Sequence, residues 1–167
     1  IDRSRGLGDV YKRQELVARL NPGISTLLFT NTRNQSERWH QCLRFACPEM
    51  EEGLALHHSA IDRSEREAIE ASVKAGGIRW VVCTSSLDLG VDFQPVEQVV
   101  QIGSPKNLAR LLQRAGRSAH LPGGTSQVLF MPTNALELLE LSAVRRGLAE
   151  GLVAVSYTHL RAHETDR

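Results

Sequence analysis

Residues 78–84 read Ile-Arg-Trp-Val-Val-Cys-Thr, and this run decides the fold class. Trp80, Val81, Val82 and Cys83 are consecutive apolar residues, β-branched or aromatic for the most part, and they alternate with nothing polar. A half-buried strand would show a polar residue at every second position, so this one is expected to be covered on both faces. That requires strands on either side and helices above and below, the arrangement of a parallel α/β sheet. Gly76-Gly77 stops whatever precedes the run, and the reading places it centrally in the sheet.

Working outward, short apolar runs alternate with longer amphipathic ones from Glu15 to Val155, as in successive βα units. Strands are expected at 25–30, 53–58, 78–84, 96–102 and 127–131. Helices are expected at 34–46, from Asp62 to about Lys74, at 105–117 and at 133–149. Asp62-Arg63-Ser64-Glu65 has the form of a reciprocal helix cap, an acceptor at the N-cap and a glutamate three residues on. In the last helix, Leu136, Leu139, Ala143 and Val144 fall at core-facing spacing.

The helix expected at 105–117 has two dissimilar faces. Leu108, Leu111, Leu112 and Ala115 share one, while Lys106, Arg110, Arg114 and Arg117 share another. A solvated helix gains from acids interleaved among such bases, yet no Asp or Glu occurs between Glu97 and Glu137. Gln113-Arg114-Ala115-Gly116-Arg117 therefore reads as an anion-binding turn, since guanidinium forks stay charged and match phosphate oxygens. A solvated arginine patch is the plainer alternative.

Two polar segments follow strands, at the edge where open parallel sheets place their ligands. Thr84, Ser85 and Ser86 offer hydroxyls to a nucleic-acid phosphate, Gly90 permits close backbone approach, and Asp92 offers a carboxylate to a ribose or a bridging water. A serine-rich turn capped by Asp88 is the competing reading. Thr30, Asn31, Thr32 and Arg33 sit at a strand-to-helix junction, where an N-cap is expected and phosphate contact would be additional. His57 and His58, adjacent on a strand, point to opposite faces and cannot share a metal ion.

The 167 residues are 41% hydrophobic and 23% charged, matching a single soluble domain with its own core. No apolar run has the length of a membrane span and no secretory signal is evident, so the expected location is cytoplasmic, without a membrane partner. Cys42, Cys47 and Cys83 are odd in number and lack zinc spacing, which points to reduced thiols. Residues 1–14 and 156–167 lack periodicity, resemble translated sequencing-adapter sequence, and are expected to be non-native or disordered, leaving 15–155 as the folded unit. Excluding them leaves 14 basic and 15 acidic residues, so overall charge indicates no partner class.

Residues 27–33 (LLFTNTR), 56–66 (LHHSAIDRSER), 81–93 (VVCTSSLDLGVDF) and 111–120 (LLQRAGRSAH) together resemble the second RecA-like domain of superfamily two helicases. The likeness is nearest to the Lhr-type group, including the ligase-associated DEXH-box helicases, and covers 15–155. It implies a RecA-like parallel sheet with helices on both faces. It also implies ATP and Mg²⁺ as cofactors, DNA as partner (a single strand or a tailed duplex), and an N-terminal RecA-like domain across an ATP cleft. Arg117 would then be the arginine finger and Arg114 a second γ-phosphate contact, with Gln113 coupling the cleft to the DNA track. Gly90 and Asp92 would lie near the nucleotide, and Thr30, Thr32, Arg33, Thr84 and Ser85 along the DNA backbone.

The chain departs from that pattern at Ala119, where the group has glycine before His120. It also contains no G-x-x-x-x-G-K-[ST] loop and no Asp-Glu metal box, so it is expected to supply the finger without the phosphate cradle. Two rivals stand beside the helicase reading. One is a stand-alone nucleic-acid-binding module without nucleotide hydrolysis. The other is a small-molecule phosphate enzyme, for which His120 is the base nearest the arginines in sequence.

Overall fold

The computed structural model describes residues 16–21, 23–88, 96–118 and 128–150. Five strands form one all-parallel sheet: β1 (Thr26–Phe29), β2 (Leu54–His57), β3 (Trp80–Cys83), β4 (Gln98–Ile102) and β5 (Val128–Met131). Their spatial order is β2-β3-β1-β4-β5. The intervening helices are α1 (Arg33–Ala46), α2 (Arg63–Lys74), α3 (Leu108–Ala115) and α4 (Ala135–Ala149), with 3₁₀ turns at Pro48–Gly53 and Ser85–Leu87. This is the parallel α/β architecture expected from the alternation of runs, and the RecA-like sheet that the resemblance implies.

Alternation along the strands splits the core in two. Leu28, Val82, Val100 and Ile102 face Leu16, Leu20, Leu43 and Met50 on one side of the sheet. Leu27, Phe29, Val81, Cys83 and Val99 face Leu87 and Val96 on the other, with Val73 and Ile78 packed alongside. Burying both faces calls for a nearly continuous apolar run in β1 and β3, and all eight residues are buried, Thr26 being the one polar residue among them.

Three expectations are corrected. The centre of the sheet is β1, not β3, which lies between β2 and β1. Both strands are buried on two faces, so local sequence could not rank them. Helix α3 begins at Leu108, because Lys106 adopts φ 73° and Asn107 caps the helix, accepting from the Arg110 amide at 2.8 Å. Lys106 thus lies in the turn before α3 and drops out of its cationic stripe. In α4, Leu136, Leu139 and Ala143 point outward and Val144 is half-buried, while Glu137 and Gly147 are the buried residues. A Cβ on Gly147 would lie 3.8 Å from Leu108 Cδ2, so α4 meets α3 through its smallest residue.

Register places the polar apparatus. His57 pairs with Cys83, Cys83 with Phe29, and Phe29 with Gln101, so these four side chains form one transverse row near the strands' carboxyl ends. Partners level in a parallel ladder project to the same face. A histidine and a glutamine in so apolar a row need partners supplied by the covering elements.

Candidate functional site

The covering elements are the Ser85–Leu87 turn with Asp88 after it, helix α3, and helix α2 over His57. Gly116 ends α3, and the chain turns back so that Val96 N–H donates to the Arg117 carbonyl at 2.9 Å. This return ties the end of α3 to the amino end of β4, so α3 runs back across the sheet and its arginine side chains lie over the strands.

Arg114 is the largest fully buried side chain among the described residues, at 1% exposure. Its Nε donates to Asp88 Oδ1 at 2.7 Å and its Nη2 to Asp88 Oδ2 at 3.2 Å, a two-pronged pair with a carboxylate itself 5% exposed. Nη1 donates to Gln101 Oε1 at 2.5 Å, and the guanidinium carbon stands 4.5 Å from the centroid of the Phe29 ring. Gln101 in turn donates to the carbonyl of Gly103 at 2.9 Å. Gly103 has φ 77°, where a side chain is strained, and a Cβ there would lie 3.1 Å from Asn31 Nδ2. A guanidinium can be buried here because every edge meets an acceptor and its face meets a ring.

Two more arginines approach Asp88. Arg110 Nε lies 3.5 Å from Asp88 Oδ2, with its side chain 40% exposed. Half-buried Arg117 donates through Nη2 to the Asp88 backbone carbonyl at 3.0 Å. Gln113 is exposed on the same helix. Asp88 is thus a hub for three cations, a role the sequence reading missed by treating it as a turn cap. The readable signal was Gln101, an amide set between Val99, Val100 and Ile102 in a strand that must be buried.

The proposed nucleic-acid residues divide by exposure. Thr30 is fully buried, and its hydroxyl donates to the Cys83 carbonyl at 3.2 Å, tying β1 to β3. Exposed Thr32 caps α1, accepting from the Gln35 amide at 3.2 Å, while Gln35 Oε1 accepts from the Asn31 amide, also at 3.2 Å. Arg33 is exposed beside Glu37 at 3.7 Å. Thr84 is half-buried and Ser85 exposed at the start of the 3₁₀ turn. Gly90, Asp92, Ala119 and His120 lie outside the described residues, as do 1–14 and 156–167.

Behind Thr84 and Ser85 sits a buried histidine. His57 Nδ1 is 2.7 Å from Ser86 Oγ and Nε2 is 3.1 Å from Glu70 Oε1, so His57 links β2, the 3₁₀ turn and α2. Burial holds its pKa below the ordinary histidine value, opposed by the Glu70 carboxylate, which favours the neutral ring donating from Nε2. His58 is also buried, 3.4 Å from Glu37, so neither histidine lies open at the ligand edge. At the start of α2, the Asp62 side chain caps nothing, unlike the reciprocal cap expected there. The neighbouring Arg63 instead pairs with Glu67 at 2.7 Å on the surface.

Residues 11–121 match the helicase conserved C-terminal domain. The chain is 37% identical over 136 residues to the ATP-dependent helicase Lhr-Core protein 2 of Thermococcus barophilus, covering 81% of this chain and 15% of that protein. It is 39% identical over 117 residues to the ATP-dependent helicase Lhr-Core of Methanocaldococcus jannaschii, covering 70% of this chain and 13% of that one. The structure of Mycobacterium smegmatis helicase Lhr bound to ssDNA and AMP-PNP superposes with a TM-score of 0.70 at 29% identity, over 87% of this chain and 19% of that one.

Proposed function

The chain belongs to the helicase conserved C-terminal domain family and is of the Lhr type, and from that premise we propose that it is the second motor domain of an ATP-dependent DNA helicase or translocase. The observation that carries the reading is the edge geometry. Arg117 and Arg110 converge on Asp88 in the segment that leaves the carboxyl end of β3 and also carries Thr84 and Ser85, while Thr32 and Arg33 follow the carboxyl end of β1.

In this reading Arg117 is the arginine finger, offering a rigid fork to charge on the γ-phosphate oxygens. Thr84 and Ser85, with Thr32 and Arg33, hold the DNA backbone without reading bases. Thr30 ties the strand beneath them, and Gln113 lies between the two functions. The resemblance assigns Gly90 and Asp92, outside the described residues, to the nucleotide. ATP supplies the phosphoanhydride that water cleaves, and Mg²⁺ neutralises its oxygens. The arginines fit phosphate. No group of three His, Cys, Asp or Glu side chains suited to a metal occurs among the described residues, so Mg²⁺ would be held with the phosphates by a first motor domain.

The test joins this chain to a phosphate-loop motor domain of the same family and measures DNA-stimulated ATP hydrolysis. Arg117→Ala is expected to lower the rate by about 10³-fold or more, the scale of arginine-finger losses. An unchanged rate would end the finger assignment. Salt-dependent DNA binding by this chain alone, indifferent to Arg117→Ala and lost with Thr84→Val, would favour the binding-module alternative.

A further inference from the structure

A phosphate-binding arginine must be rigid, yet it needs donors to spare for the phosphate. Arg114 meets the first condition and fails the second. Three of its five N–H donors are engaged, two by Asp88 and one by Gln101, its face is covered by Phe29, and at 1% exposure the others open onto no ligand surface. Arg110 shows the opposite balance. Its contact with Asp88 is long, at 3.5 Å, and two-fifths of its side chain is exposed. Arg117 is half-buried and oriented by the Asp88 backbone carbonyl.

We propose that Asp88 is the positioning residue of the arginine cluster, locking Arg114 as a fixed strut so that Arg110 and Arg117, not Arg114, meet the phosphate oxygens. A carboxylate beside an anion site is unfavourable by itself. Here it is 5% exposed, covered by Arg114, and outnumbered by three guanidinium groups, so among the described residues the cluster carries net positive charge. What Asp88 contributes is geometry. Arg110 and Arg114 lie one turn apart on α3, and Arg117 follows at its end. Fixing Arg114 to the turn after β3, and through Gln101 to β4, therefore fixes the direction of the other two. Gly103 belongs to the same device, because its left-handed backbone accompanies the carbonyl that anchors Gln101.

The proposal rests on the phosphate reading of this surface, and the test separates the two. The chain is titrated with inorganic tripolyphosphate while the Nε–Hε resonances of its arginines are followed by NMR. Arg110 and Arg117 are expected to shift together, while Arg114 stays slow to exchange and unmoved. Asp88→Asn removes a negative charge, so electrostatics alone would tighten binding. Positioning predicts the reverse, weakening of about tenfold with Arg114 Hε losing its protection, and partial recovery in Asp88→Glu. Tighter or unaltered binding in Asp88→Asn would overturn the proposal. So would an Arg114 resonance that titrates with the ligand in the unaltered chain, a result that holds even if Asp88→Asn fails to fold. No response at Arg110 or Arg117 would sink the phosphate reading, and the positioning role with it.

Discussion

Helix α3 buries a guanidinium to 1% exposure, while α4 leaves Leu136 at 71% and Leu139 at 68%. Both helices carry regular stripes in sequence, cationic in α3 and leucine-rich in α4. The difference teaches that a stripe records spacing, and the surface it meets decides its burial. The buried stripe position in α3 meets a carboxylate, an amide oxygen and an aromatic ring, which together replace the water a guanidinium loses. The inner side of α4 is formed by Glu137, which accepts from the Thr133 amide at 2.5 Å and its hydroxyl at 2.9 Å, and by Gly147 against Leu108. With a capping carboxylate and a glycine turned inward, the leucines at 136 and 139 fall on the far side.

The contrast breaks most visibly at Asp88. Asp88→Ala leaves Arg114 buried without its carboxylate and is expected to cost about 3–5 kcal/mol in denaturant unfolding. The double replacement Asp88→Leu with Arg114→Met should restore much of that, because no buried charge then remains unpaired. If the single change costs less than about 1 kcal/mol, Arg114 is not sustained by Asp88. A smaller effect belongs to the inner side of α4. Glu137→Ala removes an acceptor for two Thr133 donors at the helix start and is expected to cost about 1 kcal/mol, read as a lowered denaturation midpoint. The smallest belongs to the outer leucines. Leu139→Ser should change stability by no more than about 0.5 kcal/mol, and a loss several times larger would show that this face is covered in solution.

Much of the scaffold was legible. Each strand and helix from β1 to α4 falls within three residues of its expected bounds, since apolar periodicity and helix caps are carried by neighbours in the chain, whereas the helical residues 16–19 were not expected. An N-cap within residues 30–33 was readable for the same reason, and Thr32 fills it. Less of the site was legible. Arg114 and Arg117 stood out as a pair, but nothing local distinguished the strut from the residue beside it at the surface. His57 and His58 read as pointing to opposite faces, but their partners, Glu70 and Ser86 for one and Glu37 for the other, were not legible because they lie on other elements.

By itself the sequence determined an α/β chain of alternating elements, one strand apolar on both faces, and a phosphate-suited arginine turn after the fourth strand. Those are short-range properties, set by residue spacing, side-chain shape and charge. Only the tertiary structure decided that β1 is central, that α4 turns its leucines outward, and that Arg114 is sealed by Asp88 and Gln101. Those partners stand 26 and 13 residues away in the chain, and register across β1, β3 and β4 brings them to one edge. Whether a cation is buried depends on such distant acceptors, because only they can replace its water.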